Sequence, residues 1–235
     1  MRVEKARISW GLPDALLVWL AGGAAAVLAG IPAYSGPESE PSPLYSFGIL
    51  LPAQQFAVLG ALVLISRGKG RGTLRDDFGL ALRRGDARGL WWGVGCQFAL
   101  TALLYPLIEL SGESDPQQLL EDLEADKGVA TIAFFVVGAV VMAPLVEELL
   151  YRGLLLRALQ RRMSPTPAVF ASAVIFALVH LVGDPGAAEL LPALAALGVL
   201  LGLVAVRTAS LSLPIFIHAG FNLTTALLFV LTGGP

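Results

Sequence analysis

The stretch VATIAFFVVGAVVMAPLVEELLYRGLLLRALQ, residues 129–160, decides the fold. Its apolar run is long enough to cross a bilayer as an α-helix, which takes about 20 residues. The run nevertheless carries Glu147 and Glu148 side by side, with Arg152 four residues after Glu148. Ionisable groups at membrane depth cost several kcal/mol, so chains keep them mainly where they have a function. The glutamate pair is therefore the leading functional candidate.

The composition of the chain indicates a membrane protein. Of its 235 residues, 56% are hydrophobic and 14% are charged, whereas soluble domains carry about a quarter charged residues. The net charge of -2 provides no basic field for nucleic acid. A single cysteine, Cys96, excludes an intrachain disulfide and a cysteine-based metal cluster. The sequence predicts an all-α fold, a polytopic bundle of transmembrane helices.

Seven segments are long and apolar enough to span the membrane. They are predicted at about 12–33, 46–66, 89–110, 129–150, 167–183, 190–206 and 211–231. The first is longer than the apolar core of a cleavable signal peptide, so it is interpreted as a span. The basic loop 67–88 and the acidic loop 111–128 are interpreted first as solvated connectors. The alternatives are an eighth, interfacial helix in the second half of the basic loop and a short acidic helix after Pro116.

Basic residues collect on one side of the predicted spans. With the N-terminus in the cytoplasm, 15 of the 16 Lys and Arg residues fall in the inner segments 1–11, 67–88, 151–166 and 207–210, and Lys127 falls outside. The positive-inside rule therefore predicts this orientation. Arginine outnumbers lysine 13 to 3, which is compatible with a GC-rich bacterial genome. We expect an integral protein of a bacterial cell membrane.

The last four spans hold a small set of ionisable and amide side chains. They are Glu147, Glu148, Arg152, His180, His218 and Asn222. The two histidines are the only ones in the chain, and the asparagine is also the only one. A spacing of four residues places Glu148 and Arg152 on one helix face, and likewise His218 and Asn222. The adjacent glutamates are about 100° apart around the helix, so we expect them to have different roles.

A carboxylate near two imidazoles and an amide can hydrolyse a peptide bond. The carboxylate accepts a proton from water, the imidazoles orient that water, hold a metal or donate to the oxyanion, and the amide also donates to the oxyanion. No serine or cysteine stands in a recognisable nucleophile motif, and no HExxH sequence occurs. The structural alternative is an ion pair at the lipid boundary with histidines that only bond neighbouring helices.

The second half of the chain resembles the CPBP intramembrane proteases, relatives of the type II CAAX prenyl endopeptidase that are also called the Abi family. The motifs that carry the resemblance are Glu147-Glu148-xxx-Arg152, Phe176-xxx-His180 and His218-xxx-Asn222. Their order and spacing agree with the family's. The resemblance implies a variable three-span region at 1–128 and a catalytic four-helix core at 129–235.

The resemblance also implies the catalytic set. Glu147 resembles the general base that activates water, and His180, His218 and Asn222 resemble the groups that act on the water and the oxyanion. The family has been interpreted both as metalloproteases and as metal-independent glutamate proteases, so no cofactor is certain. Glu147, His180 and His218 are compatible with a divalent metal such as zinc, although their spacing matches no common zinc template.

Three further residues resemble supporting parts of the family's site. Glu148 and Arg152 resemble a pair that fixes the helix, and Phe176 resembles a packing residue. The first interpretation is therefore an intramembrane endopeptidase that cuts a membrane-tethered or lipid-modified peptide near the cytoplasmic leaflet. A non-catalytic scaffold or bacteriocin-immunity-type factor is the alternative, although it would have no use for this chemistry. A proton-coupled transporter is disfavoured because no inverted repeat is present.

The depth of the candidate residues adds a structural expectation. His180 lies about 20 Å along its helix from the inner side. Glu147 reaches the same depth only if the fourth helix continues to about Gln160. The sequence therefore predicts a long fourth helix, kinked at Pro144, and a polar cavity that opens inward. His218 would need a deeper preceding turn or Pro214 to reach that depth.

Overall fold

The computed structural model describes residues 8–34, 41–111, 125–182, 188 and 190–232, which form helices joined by short connections. No strand occurs in these ranges, and the predicted all-α fold is confirmed. The helices are α1 (Leu12–Tyr34), α2 (Pro43–Lys69), α3 (Leu74–Phe78), α4 (Gly89–Ser111), α5 (Val129–Gln160), α6 (Pro165–Val182), α7 (Leu191–Thr208) and α8 (Ser212–Thr232).

The helices have the length and surface of membrane spans. Within the described residues, α1, α2, α5, α6, α7 and α8 are long and apolar enough to cross a bilayer. The predicted third span corresponds to α4, a helix of 23 residues. Large apolar side chains remain exposed, among them Val27 at 71%, Trp91 at 77% and Leu103 at 72%. Exposure of this extent is typical of lipid-facing surfaces, and the protein is an integral membrane protein.

The central helix is α5, which continues past Leu150 to Gln160 as the depth of His180 requires. Two π-helical segments, Val137–Met142 and Glu148–Leu155, flank a short α-helical segment that contains Pro144. Every side chain of the second π-helical segment is buried. A helix that is buried on all sides lies in the core of its bundle, and α5 therefore carries the glutamate pair into the protein interior.

Small residues let the other helices pack closely around α5. Gly198 and Gly202 of α7 face Ala173 and Val169 of α6 at distances that leave no room for larger side chains. Gly93 of α4 lies directly against the backbone of α8. Because apolar surface gives helices no preference for one another in lipid, such close packing is a main source of their association.

The basic loop between α2 and α4 folds against the protein instead of forming one interfacial helix. It contains the five-residue α3 and a 3₁₀ turn at Arg84–Arg88. This turn lies in the second half of the loop, where a short interfacial helix was the alternative to a solvated connector. The backbone carbonyl of Gly79 accepts a hydrogen bond from the Leu211 amide at 3.0 Å, and the Arg83 amide donates to Ser212 Oγ at 2.8 Å. These bonds compete with a continuous helix. They also cover the start of α8, which agrees with the deeper turn expected before His218.

A buried carboxylate holds the same loop to the N-terminal segment. Asp77 accepts hydrogen bonds from Trp10 Nε1 at 3.3 Å, Ser66 Oγ at 2.6 Å and the Arg71 amide at 2.8 Å. A buried carboxylate needs such donors to offset the cost of losing water. Asp77 therefore joins α3 to the start of the chain and the end of α2. The alternative acidic helix after Pro116 lies outside the described residues.

Candidate active site

The two adjacent glutamates have different surroundings, as their angular separation predicted. Glu148 is completely buried, and its Oε1 accepts a hydrogen bond from Arg152 at 2.8 Å. The buried Arg152 guanidinium also donates to the carbonyl of Gly198 at 3.2 Å and lies 4.4 Å from the centre of the Phe176 ring. A buried ion pair is tolerated when further contacts of this kind satisfy it. Glu147 keeps 24% of its side chain exposed, so it is the more accessible of the two glutamates.

His218 of α8 lies between the two carboxylates. Its Nδ1 is 3.2 Å from Glu148 Oε1, and its Nε2 is 3.8 Å from Glu147 Oε2. Glu148 is an acceptor in its pair with Arg152, so the hydrogen on His218 is assigned to Nδ1. In the neutral imidazole, Nε2 is then a lone-pair acceptor. The 3.8 Å gap is too long for a direct hydrogen bond, but both atoms can contact one water molecule or one substrate group.

His180 has the same tautomer for a different reason. It lies in the 3₁₀ turn that ends α6, and its Nδ1 is 2.7 Å from the Phe176 carbonyl. A carbonyl oxygen only accepts, so Nδ1 carries the hydrogen and Nε2 of the neutral ring is an acceptor. The Phe176 ring is fully buried and meets the His180 and His218 rings edge-on, at centroid distances of 5.0 and 5.8 Å. Phe176 thus packs both histidines, which agrees with its expected packing role.

Asn222 of α8 is bound to the backbone of α5. Its Nδ2 donates to the carbonyl of Ala139 at 2.8 Å. In the π-helical segment, the Ala143 amide donates to the carbonyl of Gly138, five residues earlier. The next donor in this pattern would be residue 144, but Pro144 has no N–H group. Ala139 therefore lacks its helical partner, and Asn222 replaces it. One N–H and the oxygen of the Asn222 amide remain for other contacts.

Sequence reasoning missed three residues that hold this site together, Ala139, Tyr151 and Ser172, and interpreted Pro144 only as the position of a kink. The Tyr151 ring packs on Phe176 at 5.2 Å, and Ser172 Oγ donates to the Tyr151 carbonyl at 3.1 Å. Only Pro144 gave a signal, because a proline inside an apolar helix must leave an acceptor without its partner. The others are ordinary packing residues whose contacts depend on how the helices meet.

The described residues of the site do not form an assembled metal centre. Among the residues that the structure describes, no three or more His, Cys, Asp or Glu side chains are grouped so that they could hold a metal ion. Metal binding by Glu147, His180 and His218 stays a prediction. The second oxygen of Glu148, Oε2, is buried and has no hydrogen-bond partner in the described part of the chain. Such an atom is where an ordered water can bind.

Comparison with known proteins identifies the part of the chain that holds this site. Residues 129–224 match the family model described as Type II CAAX prenyl endopeptidase Rce1-like. The matched segment contains all three motifs, and the resemblance to the CPBP family is confirmed. At the level of the family, this match supports a CAAX-protease-like intramembrane endopeptidase. No curated protein and no solved structure matches the chain.

Proposed function

We propose, with the Rce1-like match of residues 129–224 as the premise, that this protein is an intramembrane endopeptidase that works through a glutamate-activated water. The observation that carries the proposal is the position of His218, with Nδ1 at Glu148 and Nε2 directed to Glu147. This contact joins two motifs that lie 70 residues apart in the sequence. A purely structural ion pair between Glu148 and Arg152 would not require it.

Glu147 is the general base in this proposal. Its partial exposure lets water reach it, whereas Glu148 is held by Arg152 and His218. A water molecule has two hydrogens, so it can donate one to Glu147 and the other to the Nε2 atom of His218 or His180, which orients it for loss of its proton to Glu147. The hydroxide formed in this way attacks the carbonyl carbon of the scissile peptide bond. No serine or cysteine nucleophile is needed.

Asn222 stabilises the oxyanion of the tetrahedral intermediate. One N–H of its amide holds the Ala139 carbonyl, which fixes the direction of the other N–H. A donor that is fixed before the reaction stabilises developing charge without the cost of reorganisation. Glu147 then returns the proton to the leaving amine as the C–N bond breaks. The hydroxyl group of the water ends in the carboxyl product and its proton in the amine product, and the Glu147 carboxylate is regenerated.

The substrate we propose is a membrane-tethered or lipid-modified peptide. The site lies within helices whose outer surfaces are apolar, and an anchored peptide is confined to the same layer as the site. Confinement raises the effective concentration of such a peptide relative to a soluble one. The proposed cavity opens toward the face that carries most lysines and arginines, which the sequence predicts to be cytoplasmic.

The experiment compares wild type with Glu147→Gln in detergent, with a quenched fluorescent peptide that carries a farnesylated cysteine and its palmitoylated counterpart. We expect Glu147→Gln to lower the cleavage rate by about 10³-fold or more, because the amide cannot accept the proton. Asp86→Asn, which also replaces a carboxylate by an amide but lies in the basic loop, serves as the control and should retain the wild-type rate. Cleavage by Glu147→Gln at the wild-type rate would remove the mechanism. Treatment of the wild-type protein with a metal chelator, followed by the same cleavage assay, tests whether the reaction needs a metal ion.

A further inference from the structure

A cleft of about 480 Å³ opens where α5 ends and α1 begins. Its lining includes Trp10, Pro13, Asp14, Lys69, Arg161 and Arg162. Along α5 it lies about three helical turns beyond Glu147, so it is separate from the catalytic groups. Its volume falls in the range of small-ligand sites, which is about 300–1,000 Å³.

The cleft has more positive than negative charge. Lys69 Nζ pairs with Asp14 Oδ1 at 2.6 Å, and this pair neutralises the acid. The Arg161 guanidinium lies 4.2 Å from the centre of the Trp10 ring and donates to the Trp10 carbonyl. The side chain of Arg162 is exposed. Two guanidinium groups therefore line the cleft without a carboxylate partner among the described residues.

Burial and a neighbouring cation both disfavour the charged form of Arg161. Burial and the neighbouring charge of Arg162 lower the pKa of the Arg161 guanidinium from its ordinary value, and Asp14 offsets part of this effect. An anion bound between the two arginines would relieve their repulsion. Guanidinium groups bind phosphate well because their donors match two phosphate oxygens at once.

A lipid-facing stripe leads away from the cleft along α1. Pro13 lines the cleft, and Leu16, Leu17 and Leu20 follow it at spacings of three, four and seven residues. These spacings place all four residues on one helix face. The three leucines are 57%, 59% and 47% exposed. An acyl chain can lie against this stripe while its headgroup occupies the cleft.

We propose that the cleft binds the phosphate group of an anionic phospholipid whose acyl chains lie along Leu16, Leu17 and Leu20. The buried Trp10 ring packs against the Arg161 guanidinium and holds it at the cleft. Basic pockets between membrane helices are known to recognise anionic headgroups. A soluble phosphate shares the charge but makes no contact with the leucine stripe. This site does not depend on the proposed protease activity.

The test measures lipid binding to the full-length protein by native mass spectrometry. The probes are phosphatidylglycerol, phosphatidylcholine with the same chains, and glycerol 3-phosphate. We compare Arg162→Glu with the control Arg207→Glu, because Arg207 is also an exposed arginine at a helix end but does not line the cleft. We expect wild type to bind phosphatidylglycerol more tightly than either other probe. Arg162→Glu should weaken this binding about 25-fold, from two units of charge at about 1 kcal/mol each.

Three results would overturn the proposal. Equal binding of the two phospholipids would mean that the headgroup charge is not recognised. Equal binding of glycerol 3-phosphate and phosphatidylglycerol would identify a soluble anion as the ligand. Equal losses in Arg162→Glu and Arg207→Glu would indicate the general field of the basic face instead of the cleft. Both variants change exposed side chains, so we expect them to fold like the wild type.

Discussion

At the residue scale, the contact between Glu148 and His218 gives the buried glutamate a second role beside its pair with Arg152. We expect Glu148→Gln to fold, because the amide oxygen can still accept from Arg152. Arg152 and His218 contact the same oxygen, Oε1. A neutral amide oxygen at this position is a weaker acceptor than the carboxylate, so the tautomer of His218 with hydrogen on Nε2 should become more populated. The cleavage rate should fall by about 10²–10⁴-fold with little change in KM, as when an aspartate that orients a catalytic histidine becomes asparagine.

The measurement that separates this role from simple packing is ¹⁵N NMR of protein labelled at histidine. The chain has only two histidines, so His180→Gln assigns both signals. A tautomer change at His218 together with normal thermal unfolding supports the orienting role of Glu148. A lower rate with an unchanged tautomer would contradict it.

The residues of this site differ in how far the sequence predicts them. The pair of Glu148 and Arg152 follows from a spacing of four on one helix, and the structure forms it. The contact of His218 with Glu148 joins α8 to α5, and no spacing rule describes such a contact. It depends on where the two helices cross, which is set by packing along their whole length.

At the scale of the helix, Pro144 and Asn222 act as a pair although they lie on different helices. We expect Asn222→Ala to destabilise the protein by about 1–3 kcal/mol, because the Ala139 carbonyl is left buried without a partner. In a Pro144→Ala background the new N–H can serve that carbonyl, so the same change should cost less. Thermal or denaturant unfolding of the four proteins measures this coupling. Additive losses would show that the two residues act independently.

The packing of α4 on α8 sets the position of His218, which we propose to be catalytic. A Cβ atom at Gly93 would collide with the Ile217 carbonyl, beside His218, whereas a Cβ atom at Gly95 would meet no atom within 4 Å. We expect Gly93→Ala to cost about 1–3 kcal/mol of stability and to lower cleavage about 10²-fold, since a shift of about 1 Å can misplace a catalytic group. Gly95→Ala is the matched control on the same helix. Equal effects of the two changes on cleavage would contradict this role of α4.

The length of α5 could be predicted, but its internal geometry could not. Gln160 as its end follows from the need to bring Glu147 to the depth of His180, and the helix ends there. Its π-helical segments use the same residue types as an α-helix, so their sequences do not reveal them. The first of them ends just before Pro144, which lacks a backbone N–H group.

At the scale of the whole molecule, the helices before residue 129 take part in the fold of the Rce1-like segment. Gly93 and Leu90 of α4 contact the backbone of α8. Near the end of α5, Arg161 packs on the Trp10 ring, and Arg157 donates a hydrogen bond to the Asp77 carbonyl. The division into a variable region at 1–128 and a catalytic core at 129–235 stays a prediction. The contacts indicate that the first region supports the second, even though the family match begins at residue 129.

The orientation of the bundle is the prediction that depends on the chain as a whole. Arg84 lies in the basic loop before α4, and Lys127 lies in the connection before α5. Both side chains are exposed, and Cys96 is the chain's only cysteine. In a Cys96→Ala background, we expect a membrane-impermeant maleimide to label Lys127→Cys in intact cells. It should label Arg84→Cys only after permeabilisation, because the excess of Arg and Lys keeps that loop inside.

The same experiment tests whether α4 spans the membrane, since α4 is the long helix between the two positions. Labelling of both thiols in intact cells, or of neither, would place both loops on one side, and α4 would then not cross. The reverse labelling pattern would place the basic loop and the lipid cleft outside. Only labelling of Lys127→Cys alone agrees with seven spans, a cytoplasmic N-terminus and a catalytic cavity that opens toward the cytoplasm.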